Sequence, residues 1–299
     1  MLFRPIRRVA IILFLSIGLS ACASLFGTEP VPTPIGPTFT PEPPTVTPEP
    51  MTVIVNGEGI TVTEFNAEMQ RYINAQQALG KVVHRDEASL VVLDDLISQL
   101  LLAQAARANG FILDETALQS RIDALAAQIG GMEALAKWQL DYGYTDQTFR
   151  PALKRAMESA WMRDKIIAAV PSTAEQVHVQ QILLYNLDKA QNFLTQLNGG
   201  ADFAELALEA DPVTRGDLGW FPKGYLLDPK IEETAFNLPV GQYSDVIVTD
   251  VGFHILKVLE RDPQHPLSPD AYLVMQEHAL QDWLGQQRQQ SKIILAPKP

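Results

Sequence analysis

Few side chains in this 299-residue chain have types and spacings suited to chemistry. Cys22 is the single cysteine, which excludes an intrachain disulfide and a cysteine-rich metal site. The five histidines, His84, His178, His254, His265 and His278, show neither HExxH nor His-x-His spacing, so no metal is expected. No nucleophile elbow, phosphate-binding loop or paired-carboxylate pattern occurs. What remains lies between Gln176 and Arg261, in VHVQQILL (177–184), GDLGWF (216–221) and TDVGFHILKVLE (249–260). These stretches and the loops between them carry His254, Thr249, Gln181 and Asp211, with apolar Phe221, Leu226 and Ile231. Taken singly, His254 reads as a satisfied core histidine, Phe221 and Leu226 as plain core, and Asp211 beside Pro212 as the acid of a simple turn.

Residues 171–264 read as strand, helix, helix, loop, helix, strand, strand. Val177, Val179 and Leu183 fall on one face of the first strand, with His178 and Gln180 on the other. Helices are expected at Asp188–Leu197, at Phe203–Glu209 behind an Asp202 cap, and at Pro229–Asn237. Tyr243–Val248 and Gly252–Glu260 read as a strand pair. A small antiparallel sheet covered by helices is an α+β domain.

ADFAELA (201–207), RGDLGWF (215–221) and PKIEETAFNLPVGQYSDVIVTDVGFHILKV (229–258), taken in order, resemble the parvulin family of peptidyl-prolyl isomerases. The resemblance implies rotation about Xaa-Pro bonds with no covalent step and no cofactor. It implies a proline-ring cup at Leu226 and Ile231 closed by Phe221, with Ile231 standing where the family usually has Phe. His254 matches the family's second histidine, Thr249 its companion threonine, and Asp211 the acid that faces the substrate carbonyl. Asp217 and Gly219 serve the turn; Trp220 reads as either core or surface. The family's first strand ends in His-Ile-Leu, whereas this chain has Gln181-Ile182-Leu183. Glutamine donates and accepts hydrogen bonds but cannot titrate. His178 cannot replace the missing histidine, because three residues along a strand it points to the other face.

Residues 51–170 read as a helical body. Thr52–Val55, an Asn56-Gly57 turn, and Ile60 with Val62 suggest a short hairpin. Thr63 is a candidate cap for a helix burying Phe65, Met69, Tyr72 and Ile73. Further helices are expected at Asp86–Asn109, after Asp114 with Leu118, Ile122, Leu125 and Ile129 inward, at Met132–Asp141, and from Thr145 to before Pro171. Pro151 fits only a first turn. VNGEGITVTEF followed by helices resembles the N-terminal domain of the SurA and PrsA foldases. That resemblance implies a cradle for unfolded polypeptide. It also implies a return of the C-terminal segment 265–299, a connector His265–Pro269 and then a helix from Asp270 to about Lys292, onto that body. The fold expected is α+β: a parvulin domain (171–264) inserted in a mainly helical SurA/PrsA-like domain.

Arg4, Arg7 and Arg8 before the apolar run Val9–Leu19 read as a secretory signal over 1–21, too short for a membrane span. Leu19-Ser20-Ala21-Cys22 resembles a bacterial lipobox, which implies lipidation of Cys22 and anchoring to the bacterial cell membrane. Residues 22–50 follow as a linker: between Pro30 and Pro50, nine of 21 residues are proline and five threonine. Such a composition favours extended chain of roughly 65 Å at about 3.1 Å per residue. The formal net charge of -12 repels phosphate backbones and argues against nucleic-acid partners. Two functions are therefore expected to compete. One is an extracytoplasmic prolyl isomerase acting on secreted polypeptides with Xaa-Pro bonds. The other is an ATP-independent holdase with a degenerate site, the reading that Gln181 and Ile231 favour.

Overall fold

The computed structural model describes residues 49–296. Strands β1 (Met51–Val55) and β2 (Glu58–Thr61) form a hairpin. Its turn residues Asn56 and Gly57 both take positive φ, +52° and +91°, as a two-residue connection of the type favoured by Asn-Gly requires. Val53, Val55 and Ile60 are fully buried under it. Val62 does not continue the strand. Thr61, not Thr63, caps α1 (Val62–Ala78), its hydroxyl accepting from Glu64 N at 3.1 Å. A third strand, β7 (Ile293–Leu295), pairs antiparallel with the other edge of β1. Asn56 holds it there: its amide donates to Lys292 O and its side chain accepts from Lys292 N, both at 2.9 Å.

Four further helices build the body: α2 (Arg85–Ala108), α3 (Glu115–Ile129), α4 (Met132–Asp141) and α5 (Asp146–Ala168). Asp114 caps α3 through Ala117 N at 2.8 Å. Ile129 does not turn inward: it is the last helical residue before left-handed Gly130, and it is exposed. A Thr145/Thr148 capping box starts α5, which places Pro151 in the second turn, beyond the first. Its missing N–H frees the carbonyl of Gln147, which lies on the exposed start of the helix where water can reach it.

The central domain enters from α5 with β3 (Thr173–Leu184) and α6 (Leu187–Asn198), then α7 (Phe203–Ala210), β4 (Asp217–Pro222), α8 (Pro229–Asn237), β5 (Ile247–Val248) and β6 (Phe253–Pro266). The sheet is antiparallel with order β4-β3-β6-β5. One face carries Ile182, Leu184 and Ile255 against α6 and α7. The other carries Val177, Val179, Phe221, Leu256 and Val258 against α8. Two strand limits differ from the sequence expectation. β6 runs through Pro266 and absorbs much of the expected connector, because its far end pairs with Thr173 and Ala174. β5 keeps only two residues, with one isolated bridge between Tyr243 and Lys257.

The chain leaves the sheet into α9 (Pro269–Gln290), capped by Ser268 rather than Asp270, with Ser268 Oγ accepting from Ala271 N at 3.2 Å. Leu280, Trp283 and Leu284 of α9 pack with Leu102, Ala106 and Met162 of α2 and α5. Tyr272 Oη and Gln276 Nε2 donate to the carbonyls of Val170 and Ile167, both at 3.3 Å.

Candidate active site

The site forms where the 211–216 loop and the turn into β4 meet β3. Gln181 N donates to Gly216 O at 2.7 Å, and Gln180 Nε2 to Arg215 O at 2.8 Å. Gly216 has φ +67°, and a Cβ built on it would lie 1.8 Å from Gln181 O. Only glycine permits that approach and that backbone conformation.

His254 on β6 stands opposite Leu183, two residues along β3 from Gln181 and on the same face. Its Nδ1 lies 3.0 Å from Gln181 Oε1 and its Nε2 2.9 Å from Thr249 Oγ1. In the neutral ring, a proton on Nδ1 donates to the amide oxygen and leaves Nε2 to accept from the Thr249 hydroxyl. Thr249 is fixed in turn by accepting from Val251 N and Gly252 N at 3.1 and 3.3 Å. His254 is 7% exposed. Burial pushes its pKa below the ordinary histidine value, only partly opposed by the carboxylate of Asp228. The network is thus a neutral imidazole held in one tautomer between an amide and a hydroxyl.

Phe221, Ile231 and Leu226 come together in the cluster beneath α8. They are not equivalent. Phe221 is fully buried and meets Phe236 edge to face at 6.2 Å, and Ile231 is 5% exposed, so both back the cluster. Leu226, with Leu218 and Tyr225, is partly buried and forms its accessible side. Glu232, which sequence reasoning missed, clasps the Leu226 loop: its carboxylate accepts from Gly224 N at 2.7 Å and Leu226 N at 3.1 Å. The cluster and the network adjoin. Asp228, two residues after Leu226, acts on His254, and Lys230 Nζ donates to Val248 O at 3.1 Å.

Asp211 makes no hydrogen bond to Gln181, Thr249 or His254. It ends α7 and turns on its own loop, accepting from Val213 N at 2.9 Å, Thr214 N at 3.2 Å and the Thr214 hydroxyl. The Thr214 hydroxyl and those amides hold its carboxyl below the usual range. Thr214 Oγ1 also accepts from Gly216 N at 3.2 Å, so the loop is tied to β3 through Gly216. His178 points away from Gln181, as strand geometry requires. Its Nε2 meets Asp217 Oδ1 at 2.8 Å, and its ring stacks on Trp220, which stacks on His265 at 4.0 Å. Trp220 is therefore a half-buried surface residue. Burial opposes ionisation of Asp217, but Gly219 N and His178 outweigh it and hold the carboxyl low. Cys22 lies outside the described residues.

The model of the PPIC-type peptidyl-prolyl isomerase domain matches residues 165–262, and that of the SurA-like N-terminal domain residues 4–160. Foldase protein PrsA of Geobacillus sp. is 35% identical over 121 residues, 38% of this chain and 44% of that protein. Foldase protein PrsA of Halalkalibacterium halodurans is 28% identical over 193 residues, 57% of each. Chaperone SurA of Alcanivorax borkumensis is 24% identical over 252 residues, 70% of this chain and 56% of that protein. The chain thus spans about half the length of these curated relatives. Among solved structures, the peptidyl-prolyl isomerase PrsA of Bacillus cereus matches at 20% identity and TM-score 0.43, over 78% of this chain and 83% of that one.

Proposed function

The chain belongs to the SurA-like family and carries a PPIC-type peptidyl-prolyl isomerase domain; on that premise we propose that it is an extracytoplasmic prolyl isomerase assisting the folding of secreted polypeptides. The observation that carries this reading is the neutral Gln181–His254–Thr249 network adjoining the Leu226 side of an apolar cluster. An Xaa-Pro bond faces a rotational barrier of ~18–20 kcal/mol because its planar form is resonance-stabilised. Rotation breaks no bond. It needs a surface that binds the twisted amide better than the planar one. Leu226 offers contact to the proline ring, with Phe221 and Ile231 as its support. Exclusion of water disfavours the charge-separated planar form, and groups already oriented around the amide cost no reorganisation. Gln181 keeps the proton of His254 on Nδ1, and Thr249 fixes the ring from the other side. Asp211 contributes through the loop that Thr214 and Gly216 tie to Gln181. A protease-coupled assay on Xaa-Pro peptides tests the proposal; a rate equal to the uncatalysed background overturns it.

A specific observation also supports a holdase role for the helical body. It contains a cavity of about 480 Å³, walled by Leu125, Leu135, Trp138, Tyr144, Phe149 and Leu153. In this reading Trp138→Ser weakens suppression of client aggregation and leaves isomerisation intact. Equal suppression by the two proteins speaks against it. The anchor is assigned to Cys22 by the resemblance of Leu19–Cys22 to a lipobox; Cys22→Ser should release the protein from the membrane fraction.

A further inference from the structure

We infer that α9 sets the geometry of the proline cup, through the contact of His278 and Met275 with Gly224. The inference rests on the isomerase reading for its consequence, but the contact itself is structural. Gly224 has φ +83°, and a Cβ built on it would lie 3.0 Å from His278 Nδ1, 3.2 Å from His278 Cε1 and 3.6 Å from Met275 Cε. The loop that carries Leu226 therefore runs directly against α9. Its opposite restraint is Glu232, whose two carboxylate oxygens take the amides of Gly224 and Leu226. Where the loop begins, Pro222 pairs with Gln176, whose side-chain amide donates to the carbonyls of His265 and Pro266 just before α9. The loop is thus clamped between α8 and α9, with Leu226 two residues beyond the pinch point.

The other side of α9 belongs to the helical body. Tyr272 and Gln276 bond the end of α5, and Arg288 bonds Asp94 and Ser98 of α2, each at 2.7 Å. Met275 and His278 lie one helical turn apart, next to those residues on the same helix. A single helix therefore touches both the body and the cup. A shift of α9 on α5 moves the support of Leu226, so the body positions the cup without touching substrate. His278 and Met275 are positioning residues in this account.

The test uses the full chain and reads the Leu226 methyl resonances together with peptide isomerisation. His278→Ala and Met275→Ala should each shift the Leu226 methyl signals. They should raise KM several-fold with less than a twofold change in kcat and an unchanged melting midpoint. Gly224→Ala should lose more, and adding His278→Ala should recover only the part due to collision with the imidazole, because the strain of a side chain at φ +83° remains. Leu226 signals that ignore both single replacements, or losses that simply add in the double variant, overturn the inference. If wild type does not catalyse while its Leu226 signals still respond to His278→Ala, the isomerase reading falls and the contact stands. If Gly224→Ala fails to fold, the two α9 variants decide the matter alone.

Discussion

His254 is the titratable member of its network, because its partners are an amide and a hydroxyl. Burial holds its folded pKa below that of an unfolded histidine, about 6.5. Between those two values the unfolded chain binds the extra proton, so stability rises with pH there and is lost as pH falls below about 6.5. The slope is at most about 1.4 kcal/mol per pH unit for one proton. Denaturant melts of wild type and His254→Gln from pH 7 to pH 5 should converge toward low pH, and parallel curves would contradict the assignment. That His254, Thr249 and Gln181 meet was implied by the resemblance that TDVGFH and QQILL carry, and the register of the short sheet brings the three side chains together. Glu232 was not, because its role depends on a loop that folds back to bring two amides onto one carboxylate. The two readings of Asp211 also needed the structure, since Asp-Pro serves a turn or a ligand equally well in sequence.

β3 takes its functional shape from Gly216. The strand alternates as its sequence implies, yet the 211–216 loop crosses so close to Gln181 that any side chain at 216 meets backbone. Gly216→Ala should cost about 2–4 kcal/mol by urea denaturation, from positive φ and forced movement of Gln181. A loss under 1 kcal/mol would show that the loop moves freely and does not position Gln181. Helix limits were the part of the elements least accessible from sequence. Thr61 and Thr63, or Ser268 and Asp270, offer the same capping chemistry two residues apart. Only the direction of the incoming chain selects between them. β7 was missed because three apolar residues carry no usable period, and its strand identity comes entirely from β1 and Asn56.

Among the described residues, α9 and the entry to β7 bond to body residues 102 to 236 positions earlier, so the C-terminal segment packs into the N-terminal body. The resemblance to SurA and PrsA made that return an expectation; no local pattern could. Inside the body, Glu158 of α5 is 2% exposed and pairs with Arg107 of α2, which also reaches Glu58 of β2. Arg107→Ala strands a buried carboxylate and should cost about 3–5 kcal/mol. Arg107→Ala combined with Glu158→Gln should recover a good part of that in the same thermal or urea melt. No recovery would place the loss in packing of the arginine stem rather than in the buried charge.

That a site with glutamine in place of the first histidine still turns prolyl bonds is a prediction about the molecule. Its most direct test is the isomerisation rate of wild type beside Gln181→His and Gln181→Ala, measured on one Xaa-Pro peptide. Wild type should exceed the uncatalysed rate, Gln181→His should match or surpass it, and Gln181→Ala should fall about tenfold with loss of one orienting hydrogen bond. A wild-type rate at background, with activity appearing only in Gln181→His, would contradict the account and leave a binding protein with a silent isomerase fold.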